Sequence, residues 1–221
     1  MHSIVRKLAA GLAAVAVLVP IAGMAAESEA PAQDVVANWY KMVLELTRHT
    51  ATYTPPVASR TYGYLGVTAY EVVASGSDKL QTLAGQLTGL TPLPKRAAHG
   101  KYDDAVALER AMELVVGQMF ENTGPTGHRA MDALKAELDA EVAKGVAPDV
   151  LKRSEAYGTA VATHILAWAK TDGGATITNM GFPLHYTPTP GPSHWVPTSA
   201  VIQQQAPLLP DWGNNRPFAM P

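Results

Sequence analysis

The chain has 221 residues, 47% of them apolar, with 17 Lys and Arg against 19 Asp and Glu for a formal net charge of -2. That is a globular balance, without the basic excess that holds nucleic acid. There is no cysteine, which excludes disulfides, thiolate catalysis and cysteine-based zinc sites.

At the N-terminus, Arg6 and Lys7 precede an apolar run from Leu8 to Ile21, and Pro20, Gly23, Ala25 and Ala26 supply a helix breaker and small residues. This is the pattern of a secretory signal peptide, and the run is too short for a comfortable membrane span. The sequence predicts a signal peptide over residues 1–25, cleaved near Ala25, and a periplasmic or secreted product with no membrane attachment after cleavage. A retained anchor is the alternative. Residues 26–33 form a polar leader, expected to be disordered.

Helical patterning then begins. Asp34 is a candidate cap, and Val36, Trp39, Tyr40, Val43 and Leu46 recur at helical spacing. The prolines of Thr52–Pro56 push their preceding residues out of the helical region and break the pattern. A second helix is predicted from about Val57 to Ala74, ended by the SGSD turn, and a short helical piece over residues 79–87. Tyr102–Glu121 carries Leu108, Met112, Val115 and Met119 on one stripe. Thr126 is a candidate cap for a segment with Met131, Leu134, Leu138 and Val142 on one face, stopped at Gly145. Pro148 suits a first helical turn, where its missing N–H does little harm. The helix it opens carries Tyr157, Val161, Ile165 and Trp168 and stops at Gly173-Gly174. The expected fold is all-α: a bundle of five or six helices over residues 34–172, followed by a long, extended, proline-rich arm over residues 173–221. Trp195, Trp212 and Phe218 argue that the arm lies on a surface, since disordered segments are poor in aromatics. Packing through Trp195 and loosening toward Phe218 is the expectation.

Few residues invite a chemical role. Ser193 and His194 are adjacent, so in an extended arm they point to opposite sides and cannot work easily as nucleophile and base. His185 and His194 are separated by proline-rich chain with no acidic partner nearby, a weak metal signal. Arg60, Tyr64, Val67 and Glu71 share a helical face, but Arg60 and Glu71 are about 16 Å apart at roughly 1.5 Å per residue and each needs another partner. An inter-helix salt bridge and a buried tyrosine are favoured there over a binding site. His164 fits a satisfied histidine at the core edge, and His49, His99 and His128 fit solvated helix ends or loops. Met112, Met119 and Met131 at helical spacing fit core. The alternating charges of residues 135–144 lie opposite the Leu134, Leu138 and Val142 stripe, as a solvated face does.

Three stretches carry a resemblance: NWYKMVLELTRHTATYTPPVASRTYGYLGVTAYEVV at residues 38–73, the helical middle, and HWVPTSAVIQQQAPLLPDWGNNRPFAMP at residues 194–221. In that order they resemble the N-terminal half of bacterial vanadium-dependent haloperoxidase-like proteins, in the type 2 phosphatidic acid phosphatase superfamily. The PPVASR helix start and the W-x-P-T … P-x-W-G-x-x-R-P-F arm carry it. The resemblance implies a parent chemistry of halide oxidation by peroxide or of phosphate ester hydrolysis. Vanadate or phosphate would be held by three motifs: KxxxxxxRP, PSGH and SRxxxxxH. Residue by residue, these do not transfer. Arg216-Pro217 imitates the first, but the lysine position is Leu209. Pro192-Ser193-His194 lacks the glycine of the second, and the third has no counterpart.

The expectation is therefore an exported helical scaffold with no catalytic, cofactor-binding or metal-binding residue of its own, inactive alone, leading toward a missing catalytic half. Vanadate is implied only for the full-length family. A separately encoded catalytic half or a homo-oligomer is the expected partner. A complete, non-catalytic exported module that binds a partner through its arm is the alternative.

Overall fold

A computed structural model describes residues 31–174, 177, 181–183, 185–196 and 206–219. The signal peptide expected over residues 1–25 lies outside the described residues, as does most of the expected leader. Among the described residues the fold is all-α, with five helices and no strand: α1 (Ala32–His49), α2 (Pro55–Ala74), α3 (Asp104–Met119), α4 (Pro125–Val142) and α5 (Pro148–Ala169). A 3-10 turn, Trp212–Asn214, lies in the arm. Among the described residues no helix is long and apolar enough to cross a membrane.

Helix starts follow proline chemistry more than side-chain capping. Pro55, Pro125 and Pro148 each open a helix, because the first turn has spare N–H groups and proline's fixed φ suits it. Asp34 and Thr126, expected as caps, instead lie inside α1 and α4. Asp103 does cap α3, accepting from the Val106 N–H at 3.0 Å, while its own N–H donates to Ser154 Oγ on α5 at 2.9 Å.

The bundle is organised around α3, which packs on each of the other four helices. Accordingly α3 is buried nearly all round, through Ala105, Val106, Ala107, Leu108, Ala111, Met112, Val115 and Val116. Phe120, just beyond its end, stacks on Tyr53 with ring centroids 4.2 Å apart. Small residues let α3 and α5 approach closely. A Cβ on Gly158 would lie 2.3 Å from the Ala107 carbonyl oxygen.

The helical piece expected over residues 79–87 is instead a looped segment, with one turn in which the Leu87 N–H donates to Leu83 O at 3.0 Å. The reason is the buried Glu71. Its carboxylate accepts from the Leu83 N–H, drawing away a backbone donor that a helix would use, and from Thr82 Oγ1 at 2.9 Å.

The arm also departs from expectation, in direction. Trp195 is 49% exposed, whereas Phe218 packs on the core. The Phe218 ring fits where Gly63 has no side chain, since a Cβ there would fall 2.4 Å from Phe218 Cε2. It meets Tyr64 edge-on at 5.0 Å and Trp168 at 5.3 Å.

Gly158→Ala tests the α3–α5 contact. Alanine favours a helix over glycine by up to about 1 kcal/mol, but the clash with a backbone oxygen has no soft route of relief. We expect a net loss of about 1–3 kcal/mol, read from the urea midpoint.

Candidate functional site

The residues that first invite a catalytic reading are not assembled. Ser193, His194 and His185 are all exposed, and the His194 N–H closes a turn onto Gly191 O at 3.2 Å. His49, His99 and His128 are exposed. His164 places Nε2 3.0 Å from Thr91 Oγ1 and 3.2 Å from Thr91 O, pinning the loop before α3 to α5. Met112 and Met131 are buried in the core, with Met119 packed against it. Among the described residues there is no group of three His, Cys, Asp or Glu side chains that could hold a metal ion.

The structure instead gathers charge at the end of α5. Asp172, whose side chain is fully buried, receives Arg60 from α2 through Nε at 3.0 Å and also through Nη2. The Tyr64 hydroxyl donates to the same carboxylate oxygen, and Arg216 of the arm places Nη2 3.5 Å from it. Arg216 Nη2 also donates to the Trp168 carbonyl at 3.0 Å and to Tyr64 Oη at 3.2 Å. Its guanidinium lies over the Trp168 ring at 4.7 Å, and that of Arg60 lies 5.0 Å from the Phe218 centroid. Arg60 Nη2 donates in turn to the Arg216 carbonyl at 2.7 Å. Burial pulls Arg216 below its ordinary pKa, Asp172 opposes this, and Arg60 adds to it. The face of Arg60 and Tyr64 thus forms an inter-helix ion pair with a buried tyrosine, as the spacing suggested. Glu71, on that face, holds the 82–83 loop.

Two residues here were not singled out in the sequence. Asp172 sits in a TDGG stretch that reads as a helix stop, and its partners are 44 to 112 positions away. Glu109 had a signal: it interrupts the helical stripe Ala105, Met112, Val116. It is 1% exposed. One oxygen, Oε2, accepts from the Trp39 indole N–H at 2.7 Å, and the other has no partner. Burial pushes its pKa up to about 8, opposed by the Trp39 hydrogen bond and Lys135 and aided by Asp139 and Glu113.

With this geometry in view, one solved structure is informative. A crystal structure titled as the first bacterial vanadium-dependent iodoperoxidase superposes with a TM-score of 0.63 at 27% identity, over 88% of this chain and 45% of that one. This chain is similar to part of a bacterial vanadium iodoperoxidase. It spans less than half of that protein's length. No family model and no curated protein matches the chain.

Two outcomes test this electrostatics. Asp172→Asn leaves two guanidiniums facing each other with no counter-charge. We expect a loss of about 3 kcal/mol or more in urea denaturation, with faster proteolysis within residues 206–219 than in the parent chain. For Glu109 the folded pKa of about 8 lies above the ordinary 4.5, so folding favours the protonated carboxyl. Its contribution is complete below the ordinary value and is lost as pH rises through about 8. Glu109→Gln is therefore expected to melt roughly 4–10 °C above the parent at about pH 9 and to show a flatter pH dependence, taking about 2–4 °C per kcal/mol for a chain of this length.

Proposed function

We propose that this chain is the N-terminal helical scaffold portion of an exported vanadium-dependent haloperoxidase-like or acid phosphatase-like enzyme, and that it is inactive alone. The observation carrying this reading is the structural likeness to 45% of a vanadium iodoperoxidase, joined to the arm-docking residues Arg216 and Phe218, which lie within the quoted arm motif. Periplasmic or secreted localisation follows from the signal peptide pattern of residues 1–25.

Vanadate does not fit the described residues. An oxyanion site needs open cationic donors. Arg60 and Arg216, the paired cations on this face, have side chains only 12% and 15% exposed and are already turned onto Asp172. Oxyanion chemistry would therefore belong to residues bearing the three family motifs, supplied by a separately encoded catalytic half. The arm offers such a partner a surface: Phe182, Tyr186, Trp195, Val196 and Leu208 account for most of the exposed large apolar side chains among the described residues.

The docking of Phe218 favours a second reading, a self-contained non-catalytic module acting through that same surface, because the bundle itself supplies the seat for the arm's last aromatic. The nucleotide sequence after the codon for Pro221 separates the two. An adjoining frame encoding KxxxxxxRP, PSGH and SRxxxxxH supports the scaffold reading, and an intergenic region supports the module.

For the isolated chain, titration calorimetry with orthovanadate is expected to give no saturable heat. Stoichiometric micromolar binding abolished by a single Arg or His substitution would overturn the assignment of oxyanion chemistry to another polypeptide.

A further inference from the structure

The arm surrounds a pocket of its own. Residues of two stretches, 173–183 and 209–215, line about 290 Å³, at the small end of the range of ligand sites. Its frame is held by backbone: the Leu209 N–H donates to Gly181 O at 2.8 Å, and the Trp212 N–H donates to Leu209 O at 3.0 Å. Leu209 stands at φ 50°, a left-handed conformation that a branched side chain disfavours. Strain of this kind persists only where the surroundings enforce it, and it gathers at ligand sites. The seating of the arm on the bundle does not use this pocket, since neither Arg216 nor Phe218 lines it.

We propose that this pocket binds a quaternary ammonium group, its methyls packed on Trp212 and Phe182 and its charge facing the Asp211 carboxylate. The charge of the lining selects the sign. Among the described residues that line it, Asp211 is the one charged side chain. Asp211 is exposed and forms no ion pair among the described residues. Over residues 173–221 the sequence has no other acid, no lysine, and Arg216 as its one arginine. Arg216 is turned away onto Asp172 and the Trp168 carbonyl. By contrast, a larger cleft of about 450 Å³ between α4 and α5, beside Glu109, balances Arg110, Lys135 and Lys152 against Glu109, Asp139 and Glu155.

The walls select the kind of cation. Two aromatic rings share the pocket, and ring faces attract cations. Trp39 and Trp168 are committed to Glu109 and to Arg216, whereas the Trp212 ring has no such partner among the described residues. Ile177, Leu209, Pro183 and Pro210 make much of the remaining wall apolar. A metal ion or a primary ammonium needs several oxygen partners in exchange for its water. A quaternary ammonium has no N–H to satisfy, and one carboxylate with apolar walls suffices for it. This inference is independent of the scaffold reading.

The test is calorimetric titration of the full chain with choline, with 3,3-dimethylbutan-1-ol as its neutral isostere of the same shape and with methyl glucoside as a neutral sugar. Saturable choline binding is expected, with the isostere at least roughly tenfold weaker. Asp211→Asn, at an exposed position, is expected to weaken choline roughly tenfold while leaving the melting temperature unchanged. Trp212→Leu is expected to abolish saturation. Co-sedimentation of the chain with phosphatidylcholine vesicles, in addition to choline binding, would identify a lipid headgroup as the source, and its absence a free solute. Failure of choline to saturate, equal affinity for the isostere, preference for the glucoside, or undiminished binding in Asp211→Asn would each overturn the proposal.

Discussion

One buried carboxylate organises the lower end of this molecule. The Asp172 side chain has no exposure, and a lone charge there would be prohibitively unfavourable. It also stands just beyond the C-terminus of α5, where the helix dipole is itself negative. Both problems are met from outside α5. Arg60 arrives from α2 and Arg216 from the arm, and Arg216 also donates to the Trp168 carbonyl at the helix end, which Thr171 shares. The pairing ties three distant segments to one point. The Trp168 indole donates to the Thr88 carbonyl, and the Thr88 N–H donates to the Phe218 carbonyl, so the loop before α3 is locked into the same assembly. Phe218 can then occupy the notch over Gly63, because the Arg216 carbonyl just before it and its own carbonyl are already held.

The buried acids of the bundle are satisfied in different ways, and the contrast is informative. Asp172 is neutralised by guanidiniums. Glu71 is solvated by a backbone N–H and a hydroxyl and in return shapes a loop. Glu109 receives a single indole N–H and keeps one oxygen bare. The first two are architectural, in that removing them frees a segment of chain. The third fixes no loop and pairs with no cation, and it lies at the joint where α4 and α5 diverge. Its retention inside α3 is the clearest local conflict between residue type and environment in the fold, the kind of conflict that accompanies a functional demand more often than a structural one.

The helical framework is similar to less than half of a vanadium iodoperoxidase. In the proposed reading, the arm's inner residues serve the bundle and its outer aromatics serve whatever lies beyond it. Such a division explains why the same short segment contains both a well-seated Phe218 and an exposed Trp195. Proline suits both tasks, since it limits the freedom lost when an extended segment becomes fixed.

Much of this was written in local pattern. Apolar spacing located four of the helices, because each buries one stripe or more against a neighbour, the Thr52–Pro56 break and the SGSD turn bounded α2, and Pro148 marked the start of α5. The resemblance rested on the PPVASR helix start and the W-G-x-x-R-P-F arm. The need of Arg60 for a distant partner was also legible, since its own helix offered none within reach. Tertiary structure alone decided which partner that would be: Asp172 and Arg216 are far away in the chain, and no periodicity encodes a meeting of three segments. It likewise reversed the expected docking of the arm, because the seat for Phe218 is a missing side chain on α2, and turned residues 79–87 away from helix, because Glu71 takes their hydrogen-bonding groups. The cleft beside Glu109 was equally out of sequence's reach. A misplaced acid in an apolar stripe can be seen in one dimension, but a cleft beside it exists only once two helices have packed on a third and hardly on each other.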